Sequence, residues 1–447
     1  MLTPNIIFDY VWLHFCSLYP EAEKLEVLYG SNGQGKLKIS AGGFPFFAQK
    51  VPFPEQLSWI EFEGTRLPVL FQEPALPLLS ENDDQLEIHA DLIASAFYFL
   101  SGWQEFYSKE RDRFNRFPFQ ASLQYKHQFV TVPVVNYYFG ILKTALEKAY
   151  GISLKKYENA PTGFTTFLSH DVDRLESAWK VEGLKQAQKG NYFRTAQLVI
   201  QKALEQDHWH NLKTVAGTVK KYGATSTFFW LAQPGKYNGH PNADYDIRHP
   251  KYQKLIKELA AAGFENSVHG SFGSSENSDQ LKAEAAKLNP SVKGNRFHYL
   301  CFDPEKTPQA LTSADLHYDS TLGFAEHFGF RNAYCFPFRL FDFINLKPYP
   351  FLEIPLHLMD ATLWHPNYMQ ILPEQVLETI RPMLQEIQKF GGVFGLLWHN
   401  ENFSELNIHN GLTVFESIMQ ELNQMGTIFK TGAAICQTYA ERLPEKD

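Results

Sequence analysis

The feature that most constrains this sequence is a regular alternation of short apolar segments and longer amphipathic segments after residue 161. The short segments have the length of buried strands, and the segments between them repeat apolar residues at the spacing of helices. Strands that alternate with helices in this way form parallel sheets. The predicted strands are TTFLS (165–169), TSTFFWL (225–231), ENSVH (265–269), NRFHYL (295–300), DLHYD (315–319), LEIPL (352–356) and GVFGLLW (392–398), with GTIFK (426–430) as a candidate eighth.

The first 160 residues have a different character, because they are rich in Phe and Pro and contain only short strand-like runs such as WIEFEG and LPVLFQ. Apolar periodicity predicts one helix within 86–112 and another over 134–151, where Gly151 provides a helix end. We therefore predict a smaller α/β domain of unknown role over 1–160. The boundary falls in YENAPTGF (157–164), where Asn, Pro and Gly interrupt the chain.

Composition excludes several classes of protein. The net charge of −8 comes without a basic cluster, which argues against a nucleic-acid partner. The four cysteines are scattered and show no paired spacing, so neither a disulfide framework nor a cysteine zinc site is expected. The first twenty residues lack the pattern of a secretory signal, and no apolar run of about 18 residues predicts a membrane span. The expected location is the cytoplasm.

Polar residues follow the ends of several separate strands. The carboxyl ends of the strands in a β/α barrel converge on one rim, where the chemistry is carried out. The residues at these ends are His170, Asp171, Asp173, His269, Arg296, His298, Tyr299, Tyr318, Asp319 and His399.

Asp171 and Asp173 are two positions apart, so both carboxylates project to the same side of an extended chain. Two acids in one site repel each other unless a cation lies between them. An Asx-type turn at the end of the strand explains the same residues about equally well. Zinc commonly takes three protein ligands from His and carboxylate groups. Asp173, His269 and His298 can supply such a set, although a single His is more often a packed or surface residue.

From about residue 165 to the C-terminus, the sequence resembles the polysaccharide deacetylase (chitin deacetylase, NodB-homology) family. SHDVD resembles the family's paired aspartates, HGSFG resembles its His-Ser-x-x-His motif in part, RFHY resembles Arg-x-Pro-Tyr, and GLLWH resembles Leu-x-Leu-x-His. The resemblance implies a distorted (β/α) barrel of about seven strands over 161–447 and a divalent metal, usually zinc. The N-terminal part resembles an uncharacterised domain that precedes such domains in some bacterial proteins.

The resemblance implies a role for each matching residue. Asp171 would be the general base, Asp173 and His269 metal ligands, and His399 the general acid. Gly273 stands where the family has its second metal-binding His, and His298 stands where it has Pro. We therefore expect His298 to be the third ligand, the rival interpretation being a weakened site with two ligands.

The remaining predicted residues surround this set. Arg296 is expected to orient Asp171, and a backbone N–H near Tyr299 to hold the oxyanion. Tyr318, Asp319 and Arg331 are predicted substrate contacts, although structural roles explain Asp319 and Arg331 at least as well.

The expected function is metal-dependent hydrolysis of a non-peptide C–N bond, through N-deacetylation of an N-acetylated glycan or sugar precursor. Two alternatives are a carbohydrate-binding or assembly protein on the same barrel and a small-molecule amidohydrolase of the allantoinase type. The expected partner is thus a carbohydrate.

Overall fold

The computed structural model describes residues 1–30, 35–72, 76–82, 85–157, 163–204, 207–288 and 292–443. Most of the predicted domain boundary at 157–164 lies outside these residues. None of the helices in the described ranges is long and apolar enough to cross a membrane.

The described part of residues 1–157 contains two small sheets and several helices. The four-stranded sheet has the order β1-β2-β6-β5, and β3 and β4 form an antiparallel hairpin. The strands are β1 Val27–Tyr29, β2 Leu37–Ile39, β3 Ser58–Phe62, β4 Thr65–Val69, β5 Leu79–Asn82 and β6 Gln85–Ile88. The helices are α1 Pro4–Leu18, α2 Phe44–Gln49, α3 Leu92–Leu100, α4 Trp103–Tyr107, α5 Leu123–Lys126 and α6 Val134–Tyr150.

The two helix predictions in this part have different outcomes. The helix over 134–151 is confirmed as α6, which ends at Gly151 in the left-handed conformation. The single helix predicted within 86–112 is wrong at its start, in its middle and at its end, since α4 stops at Tyr107. Residues 85–88 pair with β2 and β5 as a strand, and the Asp91 carboxylate accepts the Ala94 N–H to begin α3. Gly102, with φ of 72°, separates α3 from α4.

The remaining residues form the predicted β/α alternation. The strands are β7 Thr165–Val172, β8 Thr227–Leu231, β9 Lys236–Tyr237, β10 His240–Pro241, β11 Glu265–Gly270, β12 Gly294–Phe297, β13 Tyr318–Asp319, β14 Phe341–Asp342, β15 Lys347–Pro348, β16 Leu352–Glu353, β17 Leu358–Met359, β18 Val393–Leu397 and β19 Ile428–Phe429. The helices are α7 Ala178–Gln188, α8 Tyr192–Ala203, α9 Leu212–Lys221, α10 Pro250–Ala261, α11 Ser278–Leu288, α12 Thr307–Ser313, α13 Asp360–Trp364, α14 Val376–Phe390, α15 Gly411–Gln424 and α16 Gly432–Ala440.

The main sheet is parallel and curls into a distorted barrel, as the sequence predicts. Its order is β16-β13-β12-β11-β8-β7-β18-β17, and β19 also pairs with β7. One segment, residues 352–359, connects the two ends of the sheet. The Ile354 N–H donates to Asp319 O at 2.8 Å on one side, and the His357 N–H donates to Gly395 O at 3.0 Å on the other. Pro355 lies between them, where the segment passes from one neighbour to the other.

The N-terminal part and the barrel share one continuous cluster of buried apolar side chains. A buried ion pair also joins them, since the Arg331 guanidinium donates to both carboxylate oxygens of Glu105, at 2.8 and 2.7 Å. Arg331 also donates to Gly323 O, and its own carbonyl accepts from Gln124. This set of bonds holds the barrel loop around residue 331 against α4 and α5.

Glu105→Gln is expected to lower the free energy of unfolding by about 3–5 kcal/mol, because it leaves the buried guanidinium of Arg331 without a counter-charge. Denaturant-induced unfolding measures this loss. Glu81→Gln is the matched control, since it breaks the exposed pair of Lys148 and Glu81 and should cost less than about 1 kcal/mol. Equal stability of Glu105→Gln and the wild type would contradict a structural role for the pair.

Candidate metal centre and active site

The carboxyl ends of β7, β11, β12 and β18 meet at one rim of the barrel and bring the sequence-predicted acids and histidines together. Asp171 and Asp173 come from the end of β7, His269 from β11, and His298 directly follows β12. His399 follows β18, which lies beside β7 in the sheet. His170 points away from the rim, since its Nδ1 contacts Trp398 O and its ring packs against Phe228.

Three of these side chains form a group that could hold a metal ion. One ligand atom from each of Asp173, His269 and His298 lies within 4.8 Å of the others. The Asp173 Oδ1 atom is 3.2 Å from His269 Nε2 and 3.5 Å from His298 Nδ1, and the two imidazole nitrogens are 3.2 Å apart. One carboxylate and two imidazoles are a donor set that zinc commonly takes.

The protonation of His298 and Asp173 also fits a cation. Burial lowers the pKa of His269, but the carboxylates of Asp171 and Asp173 raise it more. His269 Nδ1 lies 2.7 Å from Arg296 O and donates its proton there, which leaves Nε2 to face Asp173. Burial lowers the pKa of His298 to about 4, so this imidazole is neutral at pH 7. Burial raises the pKa of Asp173, but the nearby imidazoles of His298 and His269 lower it more, so the carboxylate is ionised. Its buried Oδ1 atom accepts no hydrogen bond from the described residues.

Asp171 lies beside this group and is held by Arg296. The buried Arg296 Nη1 donates to Asp171 Oδ1 at 3.0 Å and to Ser169 Oγ at 2.7 Å. Its Nε and Nη2 donate to the backbone and side chain of Ser320, at 2.8 and 3.0 Å. The guanidinium therefore fixes one Asp171 oxygen, while the other is 3.5 Å from His269 Nε2.

His399 is paired with Asp360, a residue that the sequence reasoning missed. His399 Nδ1 is 2.7 Å from Asp360 Oδ1, and both the His399 backbone N–H and the Asn402 amide donate to Oδ2. His399 Nε2 then faces Asp173 Oδ2 at 3.8 Å. Burial opposes the charged imidazole, but the carboxylates of Asp360 and Asp173 outweigh it and raise the pKa of His399 to about 10. The signal available in the sequence was an acid at the end of the segment LEIPLHLMD.

The N-terminal part also reaches the rim, through the loop at residues 111–118. The Phe114 ring stacks on Tyr299, with centroids 4.7 Å apart and an angle of 9°, and Arg116 Nη1 donates to Tyr299 O at 2.8 Å. Tyr299 and Leu300 both have positive φ, 58° and 55°, a conformation that costs energy for such side chains. The N-terminal loop therefore supports the turn that follows His298. No pattern in the sequence assigned this loop to the site.

Gly273 lies in a turn with little room for a side chain. Its φ is 99°, and a Cβ atom there would lie 2.7 Å from the Tyr237 ring. A histidine at this position would require both the turn and Tyr237 to move. The imidazole that faces His269 instead comes from His298, the residue that the sequence proposes as its replacement.

The structure does not bring Tyr318, Asp319 and Arg331 to this rim. Strand β13 has two residues and pairs Tyr318 with Gly294 at the start of β12, so the Tyr318 hydroxyl bonds to Glu265 at the beginning of β11. Asp319 is buried and accepts hydrogen bonds from Asn295 and Thr321. Arg331 forms the ion pair with Glu105 described above. All three side chains therefore make structural contacts. For Asp319 and Arg331, a structural role was the alternative to substrate contact.

A cavity with two lobes opens over the rim. The smaller lobe, of about 280 Å³, is lined by Asp171, Asp173, His269, His298 and His399 and by Arg113, Phe114 and Arg116 of the N-terminal loop. The larger lobe, of about 420 Å³, shares Asp173 and His399 and extends to Trp209, Trp364 and α7. Polar groups beside aromatic walls are typical of sites for small polar ligands.

The sequence comparison identifies only the N-terminal part. Residues 6–151 match a family of unknown function (DUF7033). No protein with curated annotation matches the chain.

Solved structures resemble the chain at low identity. A protein from Mycobacterium smegmatis described as a polysaccharide deacetylase has 15% identity and a TM-score of 0.42, over 65% of this chain and 97% of the other. One from Pseudomonas aeruginosa PAO1 with the same description has 12% identity and a TM-score of 0.42, over 64% and 93%. An allantoinase has 10% identity and a TM-score of 0.41, also over 64% and 93%.

Proposed function

We propose that the protein is a divalent metal-dependent hydrolase, most simply a zinc enzyme, that removes the acetyl group from an N-acetylated sugar. The observation that carries this proposal is the grouping of Asp173, His269 and His298 beside two further pairs, Asp171 with Arg296 and His399 with Asp360. Amide hydrolysis needs one group to activate water, one to polarise the carbonyl and one to protonate the leaving nitrogen. The side chains for these three roles line one cavity at this rim.

Asp173, His269 and His298 would hold the cation. When bound, a divalent cation makes a nearby water more acidic and polarises a carbonyl oxygen. Asp171 would take the proton of the attacking water, since its carboxylate faces the group and Arg296 fixes its orientation. His399 would donate a proton from Nε2 to the departing nitrogen, because Asp360 occupies its Nδ1 side.

The left-handed turn at Tyr299 and Leu300 is the proposed site of the backbone N–H that stabilises the oxyanion. Phe114 and Arg116 hold this turn from the N-terminal loop, so the proposal assigns part of the active site to the N-terminal segment. Arg296, through its bond to Asp171, is a positioning residue.

Acetate release from acetylated chito-oligosaccharides tests the proposal, with the zinc-loaded protein compared with protein treated with a chelator. We expect acetate only from the loaded protein. Allantoin is the matched comparison substrate, because its hydrolysis opens a cyclic amide without releasing acetate. Opening of allantoin without release of acetate from any N-acetylated sugar would overturn the proposal in favour of the small-molecule amidohydrolase. Stoichiometric metal with neither activity would favour a binding protein.

The pH dependence of turnover tests the pairing of His399 with Asp360. The imidazolium is the acid, so turnover should fall as pH rises through the pKa of His399. Asp360→Asn removes the nearest carboxylate, which lowers that pKa and moves the alkaline limb of the kcat profile to lower pH. Asp246→Asn, on an exposed loop, is the control and should leave the profile unchanged. An unmoved alkaline limb in Asp360→Asn would exclude His399 as the titrating acid.

A further inference from the structure

Helix α8 presents most of its large apolar side chains to solvent. Phe193 is 85% exposed, Tyr192 72%, Leu204 63% and Ile200 59%. Arg194 and Gln201, which flank the side of the helix that faces the protein, are half-buried. A surface helix of a globular protein normally shows the opposite arrangement. A cluster of large exposed apolar side chains of this kind marks an interaction surface.

Specific contacts fix this orientation. Asn191 caps the start of α8 by accepting the Arg194 N–H at 3.2 Å, and the Thr195 hydroxyl donates to Gly183 O of α7 at 3.2 Å. Leu198 is buried on the same face. Thr195 and Leu198 are three residues apart and so lie on one face, whereas Phe193 and Ile200, seven apart, share the exposed one.

Helices α7 and α8 form a hairpin, and its charge differs from that of the rest of the chain. Residues 177–204, which contain α7 and α8, carry five Lys and Arg side chains and one acid, whereas the whole chain has a net charge of −8. Two of the five are paired, Lys185 with Glu182 and Lys202 with Glu176. Lys180 and Lys189 are exposed and make no ion pair within the described ranges. Basic side chains around an exposed apolar helix face are typical of helices that lie in the interface of an anionic membrane. A second copy of the chain would bring two basic hairpins together and is disfavoured by their repulsion.

The hairpin also forms a wall of the active-site cavity. Val181, Glu182 and Lys185 of α7 line the larger lobe, which reaches Asp173 and His399. Ile408, on the loop across this lobe, is another exposed apolar residue. A membrane bound by the hairpin would therefore lie close to the mouth of the cavity.

We propose that the α7–α8 hairpin binds the surface of an anionic bilayer and that the substrate is an N-acetylated sugar attached to a membrane lipid. The second part rests on the proposed deacetylase function. Insertion of Tyr192, Phe193, Ile200 and Leu204 among the headgroups removes apolar surface from water, and the lysines contact anionic lipids.

Cosedimentation with vesicles tests the membrane surface. The full chain is mixed with vesicles of phosphatidylcholine alone or of phosphatidylcholine with phosphatidylglycerol. We expect binding to the anionic vesicles that weakens with added salt, and at least about tenfold weaker binding by the double variant Phe193→Ser, Ile200→Ser. Ile344→Ser is the matched control, since it removes an exposed apolar residue from the turn between β14 and β15 and should bind as the wild type does.

No wild-type binding to anionic vesicles, or equal binding by the double variant, would overturn the proposal. A wild-type dimer that becomes a monomer in the double variant would also overturn it, because a second copy would then cover the face. Acetate release from soluble chito-oligosaccharides should not change in the double variant. Acetate release without vesicle binding thus refutes the membrane surface alone, whereas vesicle binding without acetate release from soluble or lipid-linked sugars refutes the deacetylase alone.

Discussion

His298→Ala is expected to reduce the zinc content of the purified protein from about one ion per chain to a small fraction of that value. In the proposed site His298 is one of three ligands, and Asp173 and His269 alone would leave the ion with only two protein contacts. Metal analysis after dialysis against a weak chelator measures the change. Deacetylase activity should fall with the metal content.

His365→Ala is the matched control for this experiment. His365 lines both lobes of the same cavity but does not belong to the group of ligand atoms. The control variant should therefore retain its zinc. Retention of stoichiometric zinc by His298→Ala would show that the histidine does not replace the one missing at Gly273.

Asp171→Asn is expected to retain zinc and to lose activity by about 10²–10⁴-fold, the contribution of a general base. Asparagine has nearly the same shape as aspartate and can still accept the hydrogen bond from Arg296, but it cannot take a proton from water. Metal analysis and kcat, measured on the same preparation, separate the two effects.

Asp173→Asn provides the comparison, since it weakens a ligand and should lose metal together with activity. A variant Asp171→Asn with wild-type kcat would exclude Asp171 as the base. Loss of zinc in Asp171→Asn would instead place Asp171 among the ligands.

The sequence predicts the parallel barrel and the convergence of polar residues because both depend on local patterns. Buried strands such as Val393–Leu397 are continuous apolar runs, and the carboxyl ends of parallel strands meet at one rim whatever the details of packing. The structure accordingly brings Asp171, Asp173, His269 and His298 together from three strands.

The rest of the site depends on register and on contacts distant in sequence. The sequence predicts Tyr318 at the carboxyl end of a strand. In the structure β13 pairs it with Gly294 at the start of β12, so its hydroxyl lies beside Glu265 and away from the rim. The contact of Asp360 with His399 spans 39 positions, and that of Arg116 with Tyr299 spans 183. No periodicity in one sequence indicates such pairs, so the N-terminal contribution to the site could not be predicted from its composition alone.

The most direct test of a metal centre in this barrel is diffraction from crystals of the zinc-loaded protein at wavelengths on either side of the zinc absorption edge. We expect one strong anomalous peak per chain, between the side chains of Asp173, His269 and His298, that disappears below the edge. A well-ordered rim without such a peak, or a peak held by other residues, would contradict it.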